Sequence, residues 1–380
     1  MSNLNRTMQE AMRLMQTGDL RAATDAIQRS LHGSHEPSHA TTQPVASGAT
    51  AACIDGLYRV IREAPNDLKQ TDETIEPSDR GGNKAPDGVF LDHRFTCDVG
   101  AMHYKLFIPS GLGDAPPLIV MLHGCNQTPD DFARGTRMNA LAQEHGYVVA
   151  YPAQAQRKNA SRCWNWFRSQ DQQRDRGEPA LIAALTRHLA KAHGLDECRL
   201  YVAGLSAGGA MAAVLGSTYP DLYAAIGVHS GLPVGAAHDL PSAFAAMKQS
   251  AGIPPSVRIA YLDRVPTIVF HGDRDTTVDP CNGEAVIAQC LGAAAAVSAV
   301  ESDALRTTVE RGSVPCGRTY TRTLFKNPDG SVMAEQWVVH GAAHAWFGGD
   351  PAGSYTDPSG PDASKHMLRF FSSCARSALN

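Results

Sequence analysis

Charge of either sign is scarce in this sequence. Only 19% of the 380 residues are charged, the formal net charge is −4, and no stretch is dense in lysine and arginine. Nucleic acids and anionic lipid surfaces are bound through clustered positive charge, so neither is an expected partner. No apolar run approaches the roughly 20 residues that cross a bilayer, and a membrane-spanning helix is therefore not expected.

Cysteine is also sparse, and a leader sequence is not recognisable. Nine cysteines are too few for a scaffold built on disulfides, and none of them forms the paired Cys-x-x-Cys pattern of a zinc site. The first residues, "MSNLNRTMQEAMRLMQTGDL", are too polar for the continuous apolar core of a secretory signal. We therefore expect no metal site and no export by the usual route.

The remaining composition is that of a globular protein with a large core. Hydrophobic residues make up 43% of the chain, enough for one large α/β domain or two smaller ones. Apolar residues at helical spacing predict an N-terminal helical segment at residues 1–31. Residues 32–87 are mostly small and polar, and we interpret them as a linker and irregular region. The compact domain is expected at residues 88–380.

Strand-like and helix-like segments alternate in this domain. The strand candidates are Val89–Phe95, His103–Ile108, Leu118–His123, Tyr147–Tyr151, Arg199–Ala203, Ala225–His229, Thr267–His271 and Glu335–Val339. The helix candidates are Asp130–His145, Glu178–His193, Ala207–Tyr219, Asn282–Leu291 and Asp362–Ser372. Such alternation predicts a mainly parallel, doubly wound sheet with helices on both faces. Its chemistry is expected in the loops at the carboxyl ends of the strands.

One of these loops carries the pattern Gly-x-Ser-x-Gly, with Ser206 between Gly204 and Gly208. The pattern alone is weak, but here a strand-like stretch, "RLYVA", precedes it and a helix-like stretch, "AGGAMAAVLGSTY", follows it. That is the setting of a nucleophile elbow, in which the flanking glycines avoid a collision in a tight turn. Ser206 is therefore predicted to be a nucleophile. The alternative is a serine that only caps a helix.

A serine nucleophile requires a histidine base and an acid that orients it. The loop in "PTIVFHGDRDTTVDP" offers Asp273, Asp275 and Asp279, and we choose Asp275 at its middle; each of the three has the alternative of being a solvated carboxylate. The loop in "AEQWVVHGAAHAWFGGD" offers His340 and His344. We choose His344, because catalytic groups favour loops on a rigid scaffold, whereas His340 closes the strand.

An oxyanion pocket and a substrate surface complete the predicted site. The turn "HGCN" follows an early strand, so the backbone N–H of Cys125 is expected to join that of Ala207 in binding a tetrahedral oxygen. The residues assigned to substrate binding are Trp164, Trp166, Asn126 and Gln127. The two indole rings are expected to form an apolar wall for an acyl chain; the alternative for them is ordinary packing under a loop.

Taken together, these stretches resemble the poly(3-hydroxybutyrate) depolymerase-type esterases of the α/β-hydrolase superfamily. The resemblance covers residues 102–372 and is carried by "LIVMLHGCNQTPDDF", "CWNWF", "RLYVAGLSAGGAMAAVLGSTYPDLYAAIGVHSGL", "VFHGDRDTTVDP" and "GAAHAWFGG". It implies an α/β-hydrolase fold and places the family's triad on Ser206, Asp275 and His344. The same two N–H groups fall on the family's oxyanion hole.

The resemblance also implies an activity. It points to a serine esterase that cleaves esters of short 3-hydroxyacids, poly(3-hydroxybutyrate) or its oligomers, without a metal or organic cofactor. The implied partner is an ester substrate, including a polyester surface. The alternatives are a feruloyl or acetylxylan esterase and, in another class, a non-catalytic binding protein with a hydrolase fold. Family members are usually extracellular; the compartment and the oligomeric state of this chain are not predicted.

The resemblance bears on one pair of cysteines. Cys125 and Cys163 each follow a strand that should end at the same edge of the sheet. They are either two free thiols or a disulfide between the oxyanion turn and the aromatic loop. The resemblance favours the disulfide.

Overall fold

The fold is described from a computed structural model. The described residues are 88–248, 265–297 and 305–376, with the backbone of 59–63. The predicted N-terminal helical segment at residues 1–31 lies outside them, as does most of the predicted linker at residues 32–87. Both therefore stay predictions.

Eleven strands of the described residues form one sheet. The strands are β1 (Arg59–Glu63), β2 (Val89–Cys97), β3 (Gly100–Ile108), β4 (Leu118–Leu122), β5 (Val148–Ala153), β6 (Leu200–Leu205), β7 (Ala225–His229), β8 (Thr267–Gly272), β9 (Arg306–Ser313), β10 (Thr319–Lys326) and β11 (Val332–Val339). Their order is β1-β9-β10-β11-β8-β7-β6-β4-β5-β3-β2. The six central strands, from β11 to β5, are all parallel. A separate pair joins β12 (Trp346–Phe347) to β13 (Thr356–Asp357).

Helices cover both faces of this sheet. They are α1 (Pro129–Thr136), α2 (Met138–His145), α3 (Gly177–Ala192), α4 (Ala207–Thr218), α5 (Leu240–Lys248), α6 (Cys281–Val297) and α7 (Ala363–Ser372). Side chains of α3, α4, α5 and α6 belong to one buried cluster, and those of α1, α2 and α7 belong to a second one. The predicted doubly wound arrangement is confirmed. None of the described helices has the length and hydropathy that a membrane crossing requires.

The central strands determine where the loops with the predicted site residues lie. Every residue of β4, β6, β7 and β8 is buried, because helices cover both faces of a parallel sheet and the strands become continuous apolar runs. Since these strands are parallel, their carboxyl ends lie along one edge. The loops after β4, β6, β8 and β11 therefore meet at that edge, as the fold class predicts.

Two differences from the predicted elements have physical causes. The prediction of one helix over Asp130–His145 is wrong, because the chain turns at Arg137, which has a left-handed φ of 53°. The Arg137 guanidinium is held there by the Gly348 carbonyl and by Asp362. Strands β9 and β10 were not predicted, because most of their side chains are half-buried or exposed and apolar alternation is weak.

Candidate active site

The turn between β6 and α4 holds Ser206 in a strained backbone conformation. Its φ of 57° and ψ of −118° lie in a region that residues with a side chain rarely adopt. The Ser206 N–H donates to the His229 carbonyl at 2.8 Å, and the Ser206 carbonyl accepts from Ala210 at 2.9 Å. The turn is therefore fixed on both sides, and it presents the hydroxyl at the carboxyl edge of the sheet.

The two glycines that flank Ser206 are required by close backbone contacts. A Cβ on Gly208 would lie 2.0 Å from the carbonyl oxygen of Leu122, and one on Gly204 would lie 2.4 Å from the backbone of Gly208. Atoms do not approach that closely, so any other residue would push α4 away from β4. The glycines are part of the turn's geometry, as the sequence pattern predicts.

Replacing Gly208 by alanine is expected to destabilise the protein by about 3 kcal/mol or more, because the new methyl group must displace backbone rather than a side chain. The free energy of unfolding in urea, followed by far-UV circular dichroism, measures this effect. The matched control is Gly292→Ala in α6, where an added Cβ meets nothing within 4 Å and should be neutral or stabilising. Equal stability of the two variants would contradict the geometry of the turn.

The loops after β8 and β11 bring Asp275 and His344 into direct contact. The Nδ1 of His344 lies 2.6 Å from Oδ2 of Asp275, whose side chain is fully buried. The other carboxylate oxygen accepts from the N–H groups of Thr277 and Val278 at 2.8 and 2.9 Å. Asp275 is thus held on both oxygens, and it can orient the imidazole.

The charge of Asp275 is set by its surroundings. Burial by itself raises the pKa of this carboxyl, but hydrogen bonds from His271 and His344 outweigh it and hold the pKa below its usual range. The buried His271 ring lies 3.4 Å from the carboxylate, with its Nε2 also 2.9 Å from the Val278 carbonyl. An ionised Asp275 accepts the Nδ1–H of His344, which leaves Nε2 of His344 free to accept a proton.

The other candidates, Asp273 and His340, form a second pair. Nδ1 of His340 lies 2.9 Å from Asp273, and its Nε2 lies 2.9 Å from the Thr321 hydroxyl. Both ring nitrogens are therefore engaged, and the side chain is 42% exposed, against 11% for His344. Nε2 of His344, in contrast, has no hydrogen-bond partner in the described part of the chain. This difference supports the choice of His344 over His340.

The third acid, Asp279, has a structural role in this arrangement. Its carboxylate accepts from the N–H of Cys281, the first residue of α6, at 3.0 Å. Its own N–H donates to the Met247 carbonyl at 2.8 Å. Asp279 thus joins the start of α6 to the end of α5, and among the described residues no hydrogen bond connects it to His344.

Two backbone N–H groups are available at the predicted oxyanion pocket. Ala207 is the first residue of α4, and Cys125 lies in the turn after β4. Neither N–H has an acceptor among the residues that the structure describes. The neighbouring N–H groups are used: Gly124 donates to the Gln127 side chain at 2.8 Å, and Asn126 donates to the Ser161 carbonyl at 2.6 Å.

His123 holds the oxyanion turn from inside the protein. Its ring is fully buried and lies 2.8 Å from the Gly124 carbonyl through Nδ1, while Nε2 accepts from the Gln154 N–H at 3.1 Å. Burial lowers the pKa of His123 to about 4, so the ring is neutral near pH 7. The indole N–H of Trp164 donates to the His123 carbonyl at 3.1 Å. These contacts fix where the Cys125 N–H points.

The Cys125–Cys163 disulfide is present, which confirms that prediction. The two Cα atoms are 4.2 Å apart, and the residues are 38 positions apart in the chain. The Cys163 carbonyl accepts from Gln154 at 3.0 Å, and Gln154 also donates to the buried Glu178 at 2.5 Å. Glu178 further accepts from the backbone and side chain of Asn165. Nothing in the sequence pattern singles out this buried carboxylate, which anchors the loop behind the turn.

The residues assigned to substrate binding are placed differently from one another. Asn126 is exposed beside the oxyanion turn. Gln127 is only 2% exposed, and its amide bonds to Gly124, Asp131 and Ser354. That assignment is therefore corrected: the oxygen and the nitrogen of the Gln127 amide both form hydrogen bonds within the protein, and these hold the turn.

The two tryptophans are also buried. Trp164 has no exposed surface and Trp166 is 6% exposed, with its ring packed edge-on against Phe167. Trp164 lines a cavity of about 80 Å³ with Met102 and Glu178, and this lining includes neither the serine nor the histidine of the predicted triad. Ordinary packing, the alternative for these rings, fits their burial better than an open acyl wall.

Comparison with known proteins identifies the family of this chain. The family model described as "Esterase PHB depolymerase" matches residues 102–314. Poly(3-hydroxyalkanoate) depolymerase C of Paucimonas lemoignei is 29% identical over 259 residues, covering 66% of this chain and 60% of that protein. Feruloyl esterase B of Thermothelomyces thermophilus is 30% identical over 197 residues, covering 48% of this chain and 67% of that protein. Acetylxylan esterase A of Aspergillus oryzae is 29% identical over 202 residues, covering 49% of this chain and 65% of that protein.

A solved structure gives the same result for the fold. The acetyl xylan esterase from Aspergillus awamori superposes with a TM-score of 0.58 at 18% identity, covering 75% of this chain and all of that one. At that identity the likeness shows the fold alone, and it supports the predicted α/β-hydrolase arrangement. The chain spans between 60% and 67% of the length of the curated relatives named above.

Proposed function

We propose that this chain, which belongs to the Esterase PHB depolymerase family, hydrolyses carboxylic esters through an acyl-enzyme on Ser206. The observation that carries the proposal is the contact between His344 and the buried, doubly held Asp275, at the same sheet edge as the strained Ser206 turn. The N–H groups of Cys125 and Ala207 have no acceptor among the described residues, follow β4 and β6, and would supply the oxyanion contacts that acyl transfer requires.

In the proposed acylation, Nε2 of His344 takes the proton of the Ser206 hydroxyl as its oxygen attacks the ester carbonyl. Asp275 stabilises the imidazolium that forms, because its carboxylate is already ionised and in contact with Nδ1. The carbonyl oxygen becomes an oxyanion and accepts from the N–H groups of Cys125 and Ala207. His344 then gives its proton to the departing alcohol, and the acyl group remains on Ser206.

The proposed second half-reaction restores the enzyme. Water enters, Nε2 of His344 removes one of its protons, and the resulting hydroxide attacks the acyl carbon. The same two N–H groups hold the second oxyanion. When the bond to Ser206 breaks, the proton returns to the serine oxygen and the acid is released. Besides the ester and one water, each proposed step uses only groups of the chain.

The proposed substrate is an ester of a short 3-hydroxyacid, such as an oligomer of 3-hydroxybutyrate. Its support is the likeness to a poly(3-hydroxyalkanoate) depolymerase over 66% of the chain. The second candidate is a feruloyl or acetylxylan ester, because relatives with those names are equally similar over shorter spans. A non-catalytic binding protein is disfavoured, because none of the three triad residues is replaced.

A substrate panel tests this proposal. Purified protein is expected to hydrolyse p-nitrophenyl butyrate, and its kcat/KM for soluble 3-hydroxybutyrate oligomers should exceed that for methyl ferulate and acetylated xylan by about tenfold or more, the scale of discrimination that acyl-site contacts provide. Titration of released acid measures all four substrates on one scale. A preference for ferulate or acetylxylan would favour the second candidate. A folded protein that cleaves none of them would point to a binding protein.

A further inference from the structure

His229 is a buried histidine that the proposed mechanism does not use. It is the last residue of β7, the strand between β6, which ends just before Ser206, and β8, which leads to Asp275. In register it pairs with Leu205 on one side and with Phe270 on the other. Its side chain has no exposed surface. A polar ring in so central a place must have partners that account for it.

Those partners belong to two different loops of the site. The His229 carbonyl accepts the N–H of Ser206 at 2.8 Å, and Nε2 of its ring accepts the N–H of Phe347 at 3.1 Å. Phe347 follows His344 by three residues in the chain. One residue is therefore bonded to the turn that carries the nucleophile and to the loop that carries the base.

The ring is held in a single protonation state. Because Nε2 accepts from a backbone N–H, it carries no proton, and the proton of the neutral ring lies on Nδ1, which is 3.2 Å from the Ser230 hydroxyl. Burial, with the neighbouring His271 and His344, lowers the pKa of His229 well below its usual range. The Nε2 acceptor is therefore permanently available to Phe347.

Packing explains the ring but not its nitrogen. His229 stacks on Phe270 at 5.6 Å and on Trp346 at 4.9 Å between ring centroids, and its centroid lies 4.4 Å from that of Phe347. Phenylalanine would satisfy these contacts equally well. Only a side chain with an acceptor at the position of Nε2 also satisfies the buried N–H of Phe347.

We infer that His229 is a positioning residue, which fixes the separation between the Ser206 hydroxyl and the His344 imidazole through its two hydrogen bonds. This inference rests on the proposed function. Loss of the Nε2 acceptor frees the segment after His344 to shift, and a displacement of about 1 Å between reacting groups costs on the order of 100-fold in rate. The acylation rate of Ser206 should therefore fall, while substrate binding should change little.

Two variants separate the acceptor from the ring. His229→Phe keeps the stacked ring and removes the acceptor, whereas His229→Gln removes the ring and keeps an amide oxygen at the end of the side chain. With p-nitrophenyl butyrate, His229→Phe is expected to lose about 10- to 100-fold in kcat at nearly constant KM. His229→Gln is expected to stay within about fivefold of the wild type in kcat, even if its melting temperature falls more. The rate of Ser206 labelling by a fluorophosphonate should follow the same order.

The outcomes distinguish this inference from the proposed function. If His229→Phe, shown to be folded by near-UV circular dichroism, retains the wild-type kcat and labelling rate, the positioning role is wrong. The same holds if His229→Gln is the slower variant, because activity would then follow the ring. A wild-type protein that neither turns over esters nor reacts with the fluorophosphonate at Ser206 would overturn the proposed function itself.

Discussion

Replacement of Ser206 by alanine is expected to lower kcat for p-nitrophenyl butyrate by at least about 10⁴-fold without unfolding the protein. In the proposed mechanism the hydroxyl oxygen of Ser206 receives the acyl group, and alanine has no atom that could replace it. His344→Ala should cost about as much, because the hydroxyl is a weak nucleophile without its base. Since the two groups act as a unit, the double variant should be no slower than either single one.

The matched control for this prediction is His340→Ala. His340 belongs to the same loop and also contacts an aspartate, but both of its nitrogens are engaged and its side chain is partly exposed. Its kcat should stay within about twofold of the wild type, as for most surface changes. Initial rates at equal concentrations of folded protein measure all variants. An inactive His340→Ala beside an active His344→Ala would move the base to the Asp273 pair.

Removing the disulfide is expected to have the largest effect on stability. In the chain-entropy model, a bridge across 38 positions lowers the conformational entropy of the unfolded chain and so raises its free energy by about 4 kcal/mol. The double variant Cys125→Ser, Cys163→Ser should therefore lose about that much free energy of unfolding. Its kcat should also fall, because the bridge holds the turn whose Cys125 N–H is proposed to bind the oxyanion. Activity should be lost at denaturant concentrations where the wild type is still folded.

Urea unfolding followed by circular dichroism measures the first effect, and initial rates measure the second. Cys316→Ser is the control, since Cys316 is exposed and forms no disulfide with another described residue, and it should match the wild type in both assays. A double variant with unchanged stability would mean that the buried Glu178 network alone holds the loop. Lower stability with unchanged kcat would show that the bridge does not set the oxyanion turn.

The central strands could be predicted from sequence because one physical condition governs them. Leu118–Leu122 and Leu200–Leu205 are buried on both faces, so they are continuous apolar runs with small residues and turns after them. The turn at Ser206 could be predicted equally well, because its close backbone contacts exclude every residue but glycine at positions 204 and 208. Strands Arg306–Ser313 and Thr319–Lys326 lack that signal. They lie toward one side of the sheet, where partly exposed positions carry charged side chains and interrupt the apolar run.

Assignments that depend on where a side chain points in the folded protein are harder to predict from sequence. His340 and His344 have the same chemistry, and each meets an aspartate about 70 positions away only after β8 and β11 pair in register. The sequence shows which residue types lie near the carboxyl edge of the sheet. It does not show which histidine keeps a ring nitrogen without a hydrogen-bond partner. For the same reason Gln127 was assigned to substrate, whereas its amide points inward and its partner Ser354 lies 227 positions away.

The low pKa of Asp275 links the site to proton uptake during unfolding. A carboxyl whose pKa is lower in the folded chain than in the unfolded one stabilises the fold fully above the unfolded value, and this contribution is lost as the pH falls toward the folded value. In the proposed reaction each cleaved ester releases a carboxylic acid, so turnover in a weakly buffered medium drives the pH toward the range where ordinary carboxyl groups titrate, about pH 4. Asp275 titrates below that range. The acid that the proposed reaction makes therefore does not neutralise the carboxylate that contacts His344.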